Sequence, residues 1–238
     1  MPSLANPGKM LKNRDCRWFR NFLTAEDVCP IHAGSKQQEK TMKEFGKLLK
    51  ALKNTDAGEK LAMMAGQGKV EKEVLSEIMF RGNKAFANLD FYLEEKHMDL
   101  TVRAREEKGK GVLCNWVEAK MCYSDCLVRK LFGKAKQDEY LNAMTKDIEK
   151  QVKKLKTMPE RDREARLTSM LIVVHHKQDA QQRKYFCNRN GYGEAEIEAA
   201  AVAYVKNDIA DRLGRTLKEH VCIPLCADCQ LHVFVFSN

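Results

Sequence analysis

The longest uninterrupted hydrophobic ladder in the 238-residue chain is Ile197, Ala201, Val205, Ile209, Leu213 and Leu217. It constrains the fold more than any other stretch. Apolar residues four apart are neighbours on a helix surface, so the ladder predicts a helix from Glu194 to His220, stopped by Pro224. The run Ala199 to Ala203 is rich in strong helix formers and supports that reading.

Similar stripes recur upstream. Met42, Phe45, Leu49 and Leu52 form one, and Val70, Val74 and Ile78 lead to Phe86, Leu89 and Leu93, with Gly82 as a kink or break. Leu141, Met144, Ile148, Val152 and Leu155 form another, ended by Pro159. Val112 to Phe132 is apolar on more than one side, as expected of a central core helix, with Cys114, Cys122 and Cys126 filling in between. Cys122 and Cys126 share a face four residues apart, where they could chelate a metal but read as buried thiols. The run Thr168 to Val174 before His175 and His176 fits either a buried helix or a strand, and the flanking Ala, Gln and Arg residues favour helix. One histidine of that pair is expected to be buried and the other exposed. Leu231 to Phe236 is β-prone, but short and solitary, so a docked tail is expected.

The fold expectation is therefore an all-α multi-helix bundle, divisible into two helical subdomains, with a short extended C-terminal tail. Residues 1–34 read as an arm and a short aromatic-rich segment, 35–108 as the first subdomain and 109–238 as the second. The boundary rests on Gly109 and Gly111 in a charged connector.

No apolar run approaches the roughly 20 residues needed to span a bilayer. The N-terminus lacks the apolar stretch of a secretory signal, which predicts an intracellular protein, in cytoplasm, nucleus or virion interior. In such a reducing setting, an odd count of nine cysteines points to buried thiols or metal ligands rather than disulfides.

His220 to His232 concentrates that chemistry. Cys226 and Cys229 have the Cys-x₂-Cys spacing of a zinc knuckle, Cys222 adds a third thiol, and His232 or His220 could complete a Cys₃His shell. Cys16, Cys29 and His32 make a second candidate group, and the two termini could share one ion. The competing account is a set of buried cysteines at a helix end.

The net charge of +9, from 42 Lys+Arg against 33 Asp+Glu, favours a polyanionic partner. Lys36, Lys40, Lys43, Lys47 and Lys50 gather opposite the first apolar stripe. Lys146, Lys150, Lys153 and Lys154 lie across from the 141–155 stripe, flanked by Asp147 and Glu149. Each stripe is either a solvated face or a phosphate-binding one. The expected partner is nucleic acid, RNA without sequence preference, with an anionic membrane surface and self-association as further options.

Phosphate-loop, dinucleotide, zinc-protease and serine-hydrolase signatures are absent, so a non-enzymatic structural protein is expected. Two rivals stay open. One is a host-interaction or regulatory protein-binding module with a zinc-pinned C-terminus. The other is a cysteine-dependent enzyme built on Cys187 with His175 or His176, a pair lacking a third orienting group.

In overall make-up, in the Asn83 to Arg105 stretch with Phe86, Leu89, Met98, Asp99 and Val102, and in its Cys-x₂-Cys followed by His, the chain resembles the matrix proteins of orthomyxovirus-type viruses. The resemblance implies a helical viral protein serving RNA and membrane surfaces. That family's cysteine–histidine motif lies mid-chain with a longer gap to its histidines. Here it is C-terminal, with two residues between Cys229 and His232, and no residue roles carry over.

Overall fold

A computed structural model describes residues 46–52, 56, 60–61, 64–65, 70–95, 98–107, 109, 111–128, 139–176, 192–223 and 229–237. Its centre is a six-stranded mixed sheet, which overturns the all-α expectation. The strands are β1 (Leu89–Glu95), β2 (Met98–Ala104), β3 (Leu113–Tyr123), β4 (Arg166–His176), β5 (Thr216–Ile223) and β6 (Cys229–Ser237), in the spatial order β1-β2-β3-β4-β6-β5. Neighbours run antiparallel except β3 and β4, which are parallel. A parallel pair needs a long crossover. Here the connection contains the helix Glu139–Lys156. In chain order, the principal helices are α1 (Glu71–Ala85), α2 (Glu139–Lys156) and α3 (Glu194–Tyr204).

Helices cover both faces, and the core divides accordingly. One face joins Val117, Ala119 and Met121 of β3, Met170, Ile172 and Val174 of β4, and Val233 and Val235 of β6 to α1 and the helical segment 46–52. The opposite residues of the same strands, Cys122, Leu171, Val173, Phe234 and Phe236, pack with Met144 of α2, Ile197 and Ala201 of α3, and Val205, Ile209 and Leu213 beyond it. A third cluster gathers Met98, Leu113, Trp116, Met158, Ala165 and Leu167.

This layering explains each correction. A strand buried on both faces shows no alternation, so it reads like a helix apolar on all sides. In the described part of the expected core helix Val112–Phe132, the chain instead forms β3 followed by a short helical turn, Ser124–Leu127, and residues 129–132 lie outside the described residues. The ambiguous run is β4, ten of whose eleven residues are buried, and both His175 and His176 lie among them. Leu89 and Leu93 belong to β1 rather than to a continuing helix. The expected tail is β6, hydrogen-bonded between β4 and β5.

The 194–213 ladder is helical as the pattern suggests, through α3, a π-helical stretch at Val205–Ile209 and a last turn at Ala210–Leu213. Gly214 then adopts φ 58°, a left-handed cap that lets the chain turn into β5 before His220 is reached. The 105–112 connector lies between β2 and β3, and within its described part Gly109 has φ 83°. Among the described residues, no helix is long and apolar enough to cross a membrane.

The edge strand β1 is locked to α1 by side-chain chemistry. The Asn83 amide donates to the Phe91 carbonyl at 3.0 Å and accepts from the Phe91 N–H at 2.8 Å. Gly82 permits the approach, since a Cβ there would stand 2.6 Å from the Phe91 ring.

Candidate functional site

Side-chain alternation along β3 sets the first site. Val117 and Ala119 point into the α1-side core, so Glu118 and Lys120 project together from the other face. On β2, Asp99 lies one step beyond the Leu100–Val117 pair, on the same side as Glu118. Its Oδ2 accepts the Ala119 N–H at 2.8 Å, which fixes the carboxylate beside the β3 backbone.

Helix α2 closes over these residues. Asp147 Oδ2 lies 3.1 Å from Lys120 Nζ, and Lys154 stands 5.4 Å from the Trp116 ring centre. The helix thus crosses β3 with Asp147 above Lys120 and Lys154 above Trp116. Gln151 lies between those contacts on the same helical face. It is 1% exposed, and neither amide atom has a hydrogen-bond partner among the described residues. At the other side of β3, the Val70 N–H donates to Met121 Sδ at 3.4 Å, which brings the start of α1, and Glu71, alongside.

Electrostatics at this site are concentrated. Burial, then the charges of Asp99 and Asp147, push the Glu118 carboxyl up to about 7, with Lys120 opposing the rise. Burial alone would depress the Lys120 ammonium, but Asp147, then Glu71 and Asp99, hold it above its ordinary value. Two strand carboxylates therefore sit beside a fixed ammonium. Oxygen donors of this kind suit a hard divalent cation, which typically takes one or two protein carboxylates and keeps some of its water.

A second cluster lies on the same sheet face, under the first turns of α3. Cys222 pairs with His232 across β5 and β6. His220 stacks against His232, with its Nε2 3.1 Å from His232 Nδ1. The other ring nitrogen of His232 is 3.1 Å from Glu198 Oε1. His175 Nε2 lies 3.7 Å from Glu194 and 3.9 Å from Glu198 Oε2, and its Nδ1 is 2.9 Å from Ser124 Oγ. Burial, then His232 and Lys206, lower the His220 imidazole to about 4. Burial, then Lys206, lower His232 to about 4.

The structure thus brings together three of the residues predicted as metal ligands, Cys222, His232 and His220, and adds Glu198. Cys226 and the side chain of Cys229 lie outside the described residues, as do Cys16, Cys29, His32, Lys36, Lys40 and Lys43. Lys47 and Lys50 are exposed on the 46–52 helix, and Lys50 pairs with Glu219 at 3.1 Å. Lys146 and Lys153 are exposed on α2, while Lys150 pairs with Asp147 at 3.1 Å and Lys154 covers Trp116.

Sequence reasoning missed Asp99, Glu118, Lys120 and Gln151 as a group, and treated Asp147 as an interruption of a lysine stripe. The Glu118-x-Lys120 spacing was the available signal. On a helix those side chains diverge by about 200°, whereas on a strand they share a face. No protein-family model matches the chain, and no curated protein or solved structure matches it either.

Proposed function

We propose that this protein hydrolyses phosphodiester bonds in nucleic acid, assisted by a divalent cation held by Asp99 and Glu118. The observation that carries the reading is the placement of Asp99, Glu118 and Lys120 on adjacent strands, with Glu118 3.8 Å from Lys120, beneath Asp147 and the buried Gln151, whose amide has no hydrogen-bond partner among the described residues. Carboxylates alone would repel a phosphate, so the site makes sense for a polyanion only with a cation between them. A bound Mg²⁺ or Mn²⁺ would polarise the phosphoryl oxygen and acidify a bound water.

The chain's own residues supply the rest. Asp99 is oriented by the Ala119 N–H, and the Glu118 carboxyl, raised by burial, would ionise on holding a cation. Lys120, kept protonated by Asp147, offers a fixed positive charge to the phosphoryl oxygens as charge develops. Exposed Lys146 and Lys153 on the same helix as Asp147, with a net charge of +9, supply the longer-range attraction for the substrate backbone. This reading keeps the expected nucleic-acid partner and departs from the expectation of a non-enzyme.

The test is cleavage of end-labelled single- and double-stranded DNA and RNA with Mg²⁺ or Mn²⁺. Activity should be abolished by EDTA and fall at least about 100-fold in Asp99→Asn, Glu118→Gln and Lys120→Met proteins that melt normally. Folded protein that cuts none of these substrates with either cation removes the reading, as does cleavage indifferent to all three substitutions. Salt-sensitive binding without cleavage would leave a structural nucleic-acid-binding protein resting on the α2 lysines.

A further inference from the structure

We propose that Cys222, His232 and Glu198 form a zinc site, separate from the carboxylate site on β2 and β3. The Cys222 Sγ, a His232 ring nitrogen and a Glu198 carboxylate oxygen lie within 4.8 Å of one another. Tetrahedral zinc with bonds of 2.0–2.3 Å holds its donors about 3.3–3.8 Å apart, so modest side-chain rotation closes the set. Three different structural elements deliver these atoms. Strands β5 and β6 place Cys222 opposite His232, and α3 brings Glu198 down onto them.

The surroundings match what a ligand histidine needs. Such a histidine has its second ring nitrogen engaged by a neighbour, which fixes both tautomer and orientation. His220 does this for His232, at 3.1 Å and with the rings stacked, leaving Nε2 between Glu198 at 3.1 Å and the Gln230 side-chain amide at 3.3 Å, which a bound metal would displace. His232 is 3% exposed, so its ring is held by packing against Phe234 as well. Glu198 meets His232 and His175 and, among the described residues, has no lysine or arginine within salt-bridge distance. A cation is the natural counter-charge for that carboxylate together with a thiolate.

Donor chemistry selects the metal. One sulfur, one imidazole nitrogen and one carboxylate oxygen favour zinc over magnesium, whereas Asp99 and Glu118 offer oxygen alone. Three protein donors leave a fourth position for water or another ligand. His175 and Glu194 lie on the other side of Glu198, with His175 Nε2 3.7 Å from Glu194 and 3.9 Å from the second Glu198 oxygen, and offer no sulfur donor.

The test titrates Co²⁺, then Zn²⁺, into metal-free full-length protein. One equivalent of Co²⁺ should give visible d–d bands and a thiolate-to-cobalt charge-transfer band, both displaced by Zn²⁺. Cys222→Ser should remove the charge-transfer band, and Glu198→Gln and His232→Gln should each weaken affinity at least tenfold. His220→Ala should weaken it about 10- to 100-fold through loss of orientation. Asp99→Asn with Glu118→Gln should leave zinc binding intact, which separates this site from the hydrolytic one. Circular dichroism of the metal-free variants checks that each still folds. The proposal is overturned if the folded protein binds neither metal, or if binding survives loss of Cys222, Glu198 and His232. It is equally overturned if binding depends on Cys226 and Cys229 while ignoring those three.

Discussion

Lys120 on β3 reaches Asp147 on α2 at 3.1 Å, tying the sheet to its crossover helix at the point where Asp99 and Glu118 converge. The ammonium is fixed before any substrate arrives. Lys120→Met should lower kcat for phosphodiester cleavage about 100- to 1,000-fold while changing cation affinity little. Steady-state kinetics alongside a calorimetric Mn²⁺ titration measure both. A change confined to KM would instead make Lys120 a substrate-binding residue.

Glu118 should make the cation-free protein less stable as pH rises. Its folded-state value of about 7 lies above the ordinary 4.5, so the native state holds the extra proton between those limits. The associated stability is complete below about pH 4.5 and is lost as pH climbs through about 7. Glu118→Gln removes this pH dependence. In EDTA, the variant should gain on the order of 2–3 kcal/mol relative to the parent between pH 4.5 and pH 8.5. Urea unfolding at several pH values reads the difference directly, and parallel curves for the two proteins would refute the assignment.

Arg103 is buried between two carboxylates, with Nε 2.9 Å from Glu95 and Nη1 3.3 Å from Asp162. Asp162 also accepts the Leu113 N–H at 2.9 Å, so the group joins β2, β3 and the turn before β4. Arg103→Ala strands two buried acids and should cost about 3–5 kcal/mol in denaturant unfolding. Arg103→Lys keeps the charge but loses the forked geometry, and should also destabilise.

Gly82→Ala sets two effects against each other. Alanine gains up to about 1 kcal/mol of helix propensity. Its Cβ would meet the buried Phe91 ring at 2.6 Å, and overpacking costs about 1–3 kcal/mol. Overpacking should win, and Phe91→Leu in the same chain should recover part of the loss. Thermal melts of the single and double variants decide the matter.

Lys146→Glu with Lys153→Glu tests the basic rim of α2. Each lysine that neutralises a phosphate should contribute about one to the slope of log K against log salt. The double variant should bind duplex or single strand more weakly and with a shallower slope. An unchanged slope would assign these lysines to solvent.

Periodicity found α2, because that helix keeps one side in water and so carries a 3.6-residue signature, while α3 was marked by apolar residues four apart and a run of strong helix formers. The same reasoning failed on β3, β4 and β6, where burial on both faces erases the alternation that marks a strand. That failure propagated to chemistry. Glu118 and Lys120 read as unrelated when placed on a helix, and Asp99 had no reason to meet them without the β2–β3 pairing.

By itself, the sequence determined the positive charge, the amphipathic helices and the enrichment of the C-terminal stretch in cysteine and histidine, since these are properties of composition and local spacing. Tertiary structure decided which groups meet. Asp99 with Glu118, Lys120 with Asp147, and Glu198 with Cys222 and His232 are brought together by strand pairing and helix docking. The physical reason is that local spacing reports which face of an element is apolar, while the partner of each face is chosen by long-range burial.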